Sequence, residues 1–76
     1  MINEDDYEMP VGFSFKLTEN PTALNYFYTL DLYTKLKIKD YIQDNNSELE
    51  AMHKTNYAIE NLNQGNINFL NDTYKH

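Results

Sequence analysis

A helix bounded by two capping signals constrains this sequence more than any other feature. Ser47 is followed three residues later by Glu50, which is the capping-box pattern. In that pattern the serine hydroxyl accepts a hydrogen bond from a first-turn N–H, and the glutamate accepts one from the N–H of the serine itself. Gly65 stands where a chain leaving a helix needs positive φ. Apolar side chains recur between these signals at the spacing of one helix face: Leu49, Met52, Ile59 and Leu62. The sequence therefore predicts its longest helix here.

Two shorter helices are predicted before it. Asn20-Pro21 combines an N-cap residue with proline at the first helical position, so a helix is expected from there to about Leu30. Asp31 is the next cap, and a helix from Leu32 to about Asp44 follows. The inward positions of the two helices are Ala23, Leu24, Phe27, Leu30, Leu32, Leu36, Ile38 and Ile42.

Residues 10–20 allow two interpretations. Val11, Phe13, Phe15 and Leu17 alternate with other residues, which is the period of a half-buried strand. Pro10 at a first-turn position is equally typical of a two-turn helix. A lone strand would leave its backbone groups unpaired, because no partner strand is evident elsewhere. A helix is favoured on that ground, and the strand stays an alternative.

The two ends of the sequence differ from its centre. Residues 1–8 carry four carboxylates and too few apolar side chains to offset their ordering entropy, so an acidic flexible tail is expected. Residues 66–76 are short and rich in asparagine, which predicts a flexible C-terminal tail. The 76 residues, which include no cysteine, allow one small domain without disulfides. The predicted fold is all-α: a compact bundle of four short helices over residues 9–65, with disordered termini.

Charge and hydropathy narrow the environment. No apolar run approaches the ~20 residues of a membrane span, and the acidic N-terminus is unlike a signal peptide. A soluble, cytoplasmic protein without membrane insertion is expected. The net charge is −6 and arginine is absent, which disfavours nucleic acid. The best candidate for single-strand binding is Lys35, Lys37 and Lys39 beside Tyr33 and Tyr41, although helical spacing turns Lys37 away from the other two lysines.

Catalytic and metal-binding patterns are incomplete. Glu50 and His53 have the spacing used in di-iron bundles, but the sequence has only one other histidine, His76. Ser14 and Ser47 are the only serines, and no glycine-rich phosphate loop occurs. The sequence predicts no enzyme, no cofactor, no metal and no small-molecule substrate.

Tyrosine is the unusual component, with seven in the chain. Four of them are the candidate interaction surface: Tyr26, Tyr28, Tyr33 and Tyr57. Tyrosine is enriched in protein-binding patches, which indicates an unknown protein partner or self-association. The alternative is that these rings only cover a small core and leave their hydroxyls wet. The predicted function is a small non-enzymatic protein-interaction or structural module, and a nucleic-acid-associated regulator is the second hypothesis.

A family resemblance rests on the caps and core positions. The residues that carry it are Pro10, Leu17, Asn20-Pro21, Ala23, Phe27, Leu30 and the ending Ala58-Ile59-Glu60-Asn61-Leu62-Asn63-Gln64-Gly65. Together they resemble the C-terminal helical segment of the bacteriocin-protection, YdeI or OmpD-associated family, and the short stand-alone clostridial proteins of unknown function that carry it. The resemblance implies a bacterial protein, a helix at Val11 to Thr18, and a link to envelope stress or antimicrobial protection. The family's last helix usually carries several basic residues, whereas here only Lys54 is plainly basic.

Overall fold

The computed structural model describes residues 9–73, and these residues form helices joined by short turns. The helices are α1 (Val11–Thr18), α2 (Pro21–Thr29), α3 (Leu32–Gln43), α4 (Glu48–Asn63) and α5 (Asn68–Thr73). No strand occurs within residues 9–73, so the predicted all-α class is confirmed and α1 is a helix. None of these helices is both long enough and apolar enough to cross a membrane. The predicted acidic tail, residues 1–8, lies outside the described part of the chain.

Helix α4 is the element around which the others pack. It contacts α1, α2 and α3, while α1 also packs on α2 and α5 packs on α3. The largest fully buried side chains are Phe13, Ile38 and Leu62, one each from α1, α3 and α4. Phe13 meets Phe27 of α2 edge to face, with 5.7 Å between ring centroids. The bundle therefore has one core, to which all five helices contribute buried side chains.

The caps of α3 and α4 form as predicted, with one difference. The Asp31 side chain accepts from the Thr34 N–H at 2.8 Å, and Ser47 Oγ accepts from the Glu50 N–H at 3.1 Å. The Glu50 carboxylate, however, accepts from the N–H of Asn46 at 2.9 Å, where the capping-box pattern predicts the N–H of Ser47. The Glu50 side chain thus bonds to the backbone of the residue before the N-cap, and not to that of the N-cap itself.

The C-terminus of α4 confirms the glycine signal. Gly65 has φ of +67°. Its N–H donates to the Leu62 carbonyl at 3.0 Å, and the Asn66 N–H donates to the Asn61 carbonyl at 2.9 Å. These two bonds satisfy carbonyls that the helix end would otherwise leave unpaired.

Asn20 begins α2 as predicted, but its side chain does not cap that helix. Pro21 follows at the first helical position, and the Asn20 side chain makes no capping bond. Its Nδ2 donates instead to the Lys16 carbonyl at the end of α1, at 2.8 Å. Its Oδ1 accepts from Asn63 Nδ2 at the end of α4, at 3.3 Å. The Asn20 side chain therefore links the C-terminal ends of α1 and α4 by hydrogen bonds.

Helix α5 corrects the prediction of a flexible tail from residue 66 onward. Residues 68–73 are helical, and Phe69 and Leu70 are both buried in the core. The Asn66 side chain accepts from the Asn68 N–H at 2.8 Å, so an asparagine that looked like a helix breaker supports the start of a helix. The packed domain extends beyond Gly65 for this reason.

Candidate interaction surface

Helix α1 has one buried face and one exposed face. Phe13 and Leu17, four residues apart, are buried. Val11 and Phe15, also four residues apart, are exposed, and Phe15 keeps 65% of its surface in solvent. Residues two apart lie on roughly opposite sides of a helix, so the alternation that resembled a strand divides into these two faces.

The first half of α4 is also less covered than its pattern predicts. Ile59 and Leu62 are buried, but Leu49 and Met52 on the same predicted face are exposed, with Met52 at 50%. The buried residues of α4 all lie between Thr55 and Leu62, whereas Leu49 and Met52 precede them. The single apolar face predicted for α4 is therefore buried only in its second half.

The uncovered parts of α1 and α4 border one groove of about 540 Å³. Its exposed large apolar lining residues are Phe15 and Met52, one from each helix, and buried Phe13, Ile42 and Thr55 lie at its base. Two small residues, Gly12 and Ala51, also line it. A methyl group placed on Gly12 would meet no atom within 4 Å. The groove is therefore apolar and has room beside Phe15.

The charged groups of the groove are few. Lys16 of α1 and Glu48 of α4 are the charged residues in its lining. They come from different helices and carry opposite signs. The groove as a whole is electrically neutral, although the chain carries a net charge of −6.

The structure separates the four predicted tyrosines. Tyr28 and Tyr33 are exposed beside α3 lysines: Lys35 Nζ lies 5.7 Å from the Tyr28 ring centroid, and Lys37 Nζ lies 5.2 Å from that of Tyr33. Tyr57 packs edge to face on Phe69 at 6.0 Å. Tyr26 is half-buried, and its Cε1 is 3.9 Å from the Cβ position at Gly65. Within residues 9–73 no ring contact joins one of these four tyrosines to another.

The lysine run of α3 does not present one basic patch. Lys35 is only 3% exposed, and its Nζ lies 5.6 Å from the Phe27 ring centroid as well as near Tyr28. Lys37 lies over Tyr33. Because Lys35 is buried, it does not add an exposed positive charge to this face of α3.

Around Glu50 and His53 the carboxylate is engaged by other groups. Glu50 pairs with Lys54, four residues later, at 3.9 Å and also accepts from the N–H of Asn46. Lys54 donates to the Asp44 carbonyl and lies 4.9 Å from the Tyr41 ring centroid. His53 is exposed and lines a shallow pocket of about 360 Å³ with Tyr57 and Glu60. Among residues 9–73 no group of three or more metal-ligating side chains is assembled.

Two side chains of α3 and its cap have shifted pKa values. Hydrogen bonds from Thr34 lower the pKa of the Asp31 carboxyl below 3.8, which stabilises the charged cap. Burial raises the pKa of the Tyr41 phenol above 10.0, and the nearby Tyr57 adds to the rise. Both shifts come from structural contacts away from the groove.

Sequence reasoning missed Phe15 and Met52 as surface residues. Once α1 is known to be a helix, the spacing of Val11 and Phe15 opposite Phe13 and Leu17 is the signal that could have found them. No protein-family model, curated protein or solved structure matches the chain. The resemblance to the bacteriocin-protection, YdeI or OmpD-associated family therefore stays a prediction.

Proposed function

We propose that this chain is a small non-enzymatic protein-interaction module that binds through the groove between α1 and α4. One observation carries the proposal: Phe15 and Met52 are 65% and 50% exposed and border the same apolar groove. Aromatic side chains and methionine are enriched at the cores of protein interfaces. Full burial of such a side chain contributes about 1.5–3 kcal/mol, so covering the remaining surface of these two would contribute roughly 2–3 kcal/mol.

The lining of the groove favours binding over catalysis. Its charged residues are Lys16 and Glu48, and the histidine of the described region, His53, lines a different pocket. A general base must reach the group that it deprotonates. Apolar side chains with two charges at the sides suit a surface that excludes water around a partner.

The tyrosine surface is the second place at which a protein could bind. Tyr28 and Tyr33 expose most of their rings, but these rings already contact lysines of α3. These two rings line neither of the two cavities described above. The groove is therefore the better candidate for the module's principal binding face.

Binding of single-stranded nucleic acid is the alternative function. The observation that favours it is a pair of exposed rings beside lysines of α3, Tyr28 near Lys35 and Tyr33 near Lys37. Such rings can stack on bases. The burial of Lys35 and the net charge of −6 weigh against it, because phosphate attraction needs exposed positive charge. Salt-dependent retention on immobilised single-stranded DNA, lost in Tyr33→Ser, would favour this alternative.

The family resemblance adds a biological setting to the proposal. If the chain shares the role of the bacteriocin-protection, YdeI or OmpD-associated family, the groove would recognise a cytoplasmic protein involved in envelope stress or antimicrobial protection. The resemblance is carried by caps and core positions, and Phe15 and Met52 are not among them. The resemblance therefore does not determine which protein the groove binds. That choice depends on the exposed residues of this chain.

The proposal is tested by comparing two sets of substitutions in the full chain. Phe15→Ser with Met52→Ser removes the apolar sides of the groove, and Tyr28→Ser with Tyr33→Ser is the matched control on another surface. Circular dichroism establishes that each variant is folded. We expect the groove variant to lose its associations in affinity capture and sedimentation, and the tyrosine variant to keep them. A folded groove variant that retains every wild-type association would contradict the proposal. The same experiment with Tyr26→Ser and Tyr57→Ser tests the rest of the tyrosine surface.

A further inference from the structure

We infer that the occupant of the α1/α4 groove is a second copy of this chain, bound about a two-fold axis. The inference rests on the proposed function, because it names the partner of the same groove. Two features of the groove support it. One is an exposed ring beside open space, and the other is a pair of opposite charges.

The shape argument concerns Phe15 and its neighbours. The Phe15 side chain is 65% exposed at the side of the groove and can enter a partner surface. Gly12, one turn earlier on α1, has open space above it, and Ala51 lines the groove from α4. Each copy therefore presents both a protruding ring and room for one. A two-fold interface uses such a pair twice, because the same patch is present on both subunits.

The charge argument concerns Lys16 and Glu48. A chain with a net charge of −6 repels its own copies unless the contact surface avoids like charges. The groove carries one cation on α1 and one anion on α4. A two-fold axis lying midway between them in the interface places Lys16 of each copy opposite Glu48 of the other. A strongly acidic or basic partner would leave one of these charges opposed by a like charge.

The exposed apolar side chains of α1 and α4 are not confined to the lining of the groove. Val11 precedes Phe15 by four residues on α1, and Leu49 precedes Met52 by three on α4, and both are exposed. A stable interface covers ~800 Å² per partner, about one seventh of the 5230 Å² surface here. A patch built from two short helix segments is at the small end of that range, so the dimer is expected to be reversible.

The test is analytical ultracentrifugation of the full chain over a range of concentrations. We expect a concentration-dependent monomer–dimer equilibrium in the wild type. Phe15→Ser should weaken dimerisation at least tenfold, while Tyr33→Ser, a matched loss of an exposed ring, should not. Glu48→Lys should weaken it by placing two lysines opposite each other. Glu60→Lys, the same charge change elsewhere on α4, should leave it unchanged.

The charge-swapped double variant gives the sharpest result. Lys16→Glu combined with Glu48→Lys restores opposite charges across a two-fold interface, so dimerisation should recover relative to Glu48→Lys alone. A wild type that stays monomeric, or a dimer that none of the groove substitutions weakens, would overturn the inference. A monomeric chain that still captures another protein through Phe15 and Met52 would leave the proposed function standing. If the chain is monomeric and the substitutions do not change its capture of other proteins, both the inference and the proposed function are overturned.

Discussion

Phe69 of α5 contacts Tyr41 of α3 edge to face, with 5.2 Å between the ring centroids. The ring of Tyr57 in α4 approaches the same phenylalanine from a second direction, at 6.0 Å. Aromatic pairs of this geometry contribute about 0.5–1.5 kcal/mol beyond the burial of their area. These two ring contacts stabilise the packing of the short helix α5 against α3 and α4, the two longest helices.

Phe69→Ala is expected to destabilise the domain strongly. Truncating a buried phenylalanine costs about 3–5 kcal/mol, comparable to the whole stability of a domain this small. Thermal unfolding followed by circular dichroism should show a variant that is largely unfolded at 37 °C. Phe69→Leu, which keeps an apolar side chain, should lose less. An unchanged melting temperature in Phe69→Ala would mean that residues 66–73 behave as a tail.

Alkaline pH should destabilise the protein through Tyr41. Because burial raises its pKa above 10.0, the unfolded chain releases this proton first. The stabilising contribution of the neutral phenol is complete below pH 10 and is lost as the pH rises through the folded-state pKa. Urea unfolding at pH 8 and pH 11 should show a larger loss in the wild type than in Tyr41→Phe. Equal losses in the two proteins would contradict the prediction.

Two glycine-to-alanine substitutions should have opposite effects. Gly65 has φ of +67°, so Gly65→Ala forces a left-handed conformation that costs an L-residue about 1–2 kcal/mol. The new methyl group would meet only Tyr26 Cε1 at 3.9 Å, so the loss is due to the backbone. Gly12 lies in α1 with open space around it, and Gly12→Ala should stabilise by about 0.4–1 kcal/mol. Chemical denaturation of both variants measures the difference in sign.

The cap of α4 should depend on an acceptor at residue 47. Ser47→Ala removes the bond from the Glu50 N–H and should lower the free energy of unfolding by about 1 kcal/mol. Ser47→Asp keeps an acceptor and adds a negative charge at the positive end of the helix dipole, so it should retain most of the stability. The measurement is the urea midpoint of each variant. An alanine variant as stable as the aspartate variant would show that the cap is dispensable.

The elements that could be predicted from the sequence are those fixed by local chemistry. Asp31, Ser47 and Gly65 act on backbone groups within a few residues, and all three act as their types predict. Residues 11–18 were ambiguous because their apolar pattern fits two periods, and the contacts of Phe13 with α2 decide between them. Helix α5 was missed because its buried residues, Phe69 and Leu70, pack on residues such as Tyr41 that lie far away in the chain.

The groove could not be predicted for a related reason. Helical spacing shows which face of α4 is apolar, but not how far a neighbouring helix reaches along it. The exposure of Met52 and of Phe15 depends on where the neighbouring helices pack, and the pattern of a single helix does not give that placement. The tyrosines are conspicuous by their number, whereas the exposed apolar side chains of the groove are one phenylalanine, Phe15, and one methionine, Met52.

The central position of α4 also has a consequence for the order of events during synthesis. Helices α1 and α2 bury their apolar faces on a helix that ends at Asn63, so they have no completed partner while the ribosome is still making the middle of the chain. At about 5–20 residues per second, Phe13 and Leu17 wait several seconds for that partner. During this period the apolar faces of α1 and α2 are not yet covered by α4, and the bundle can form only after α4 has been made.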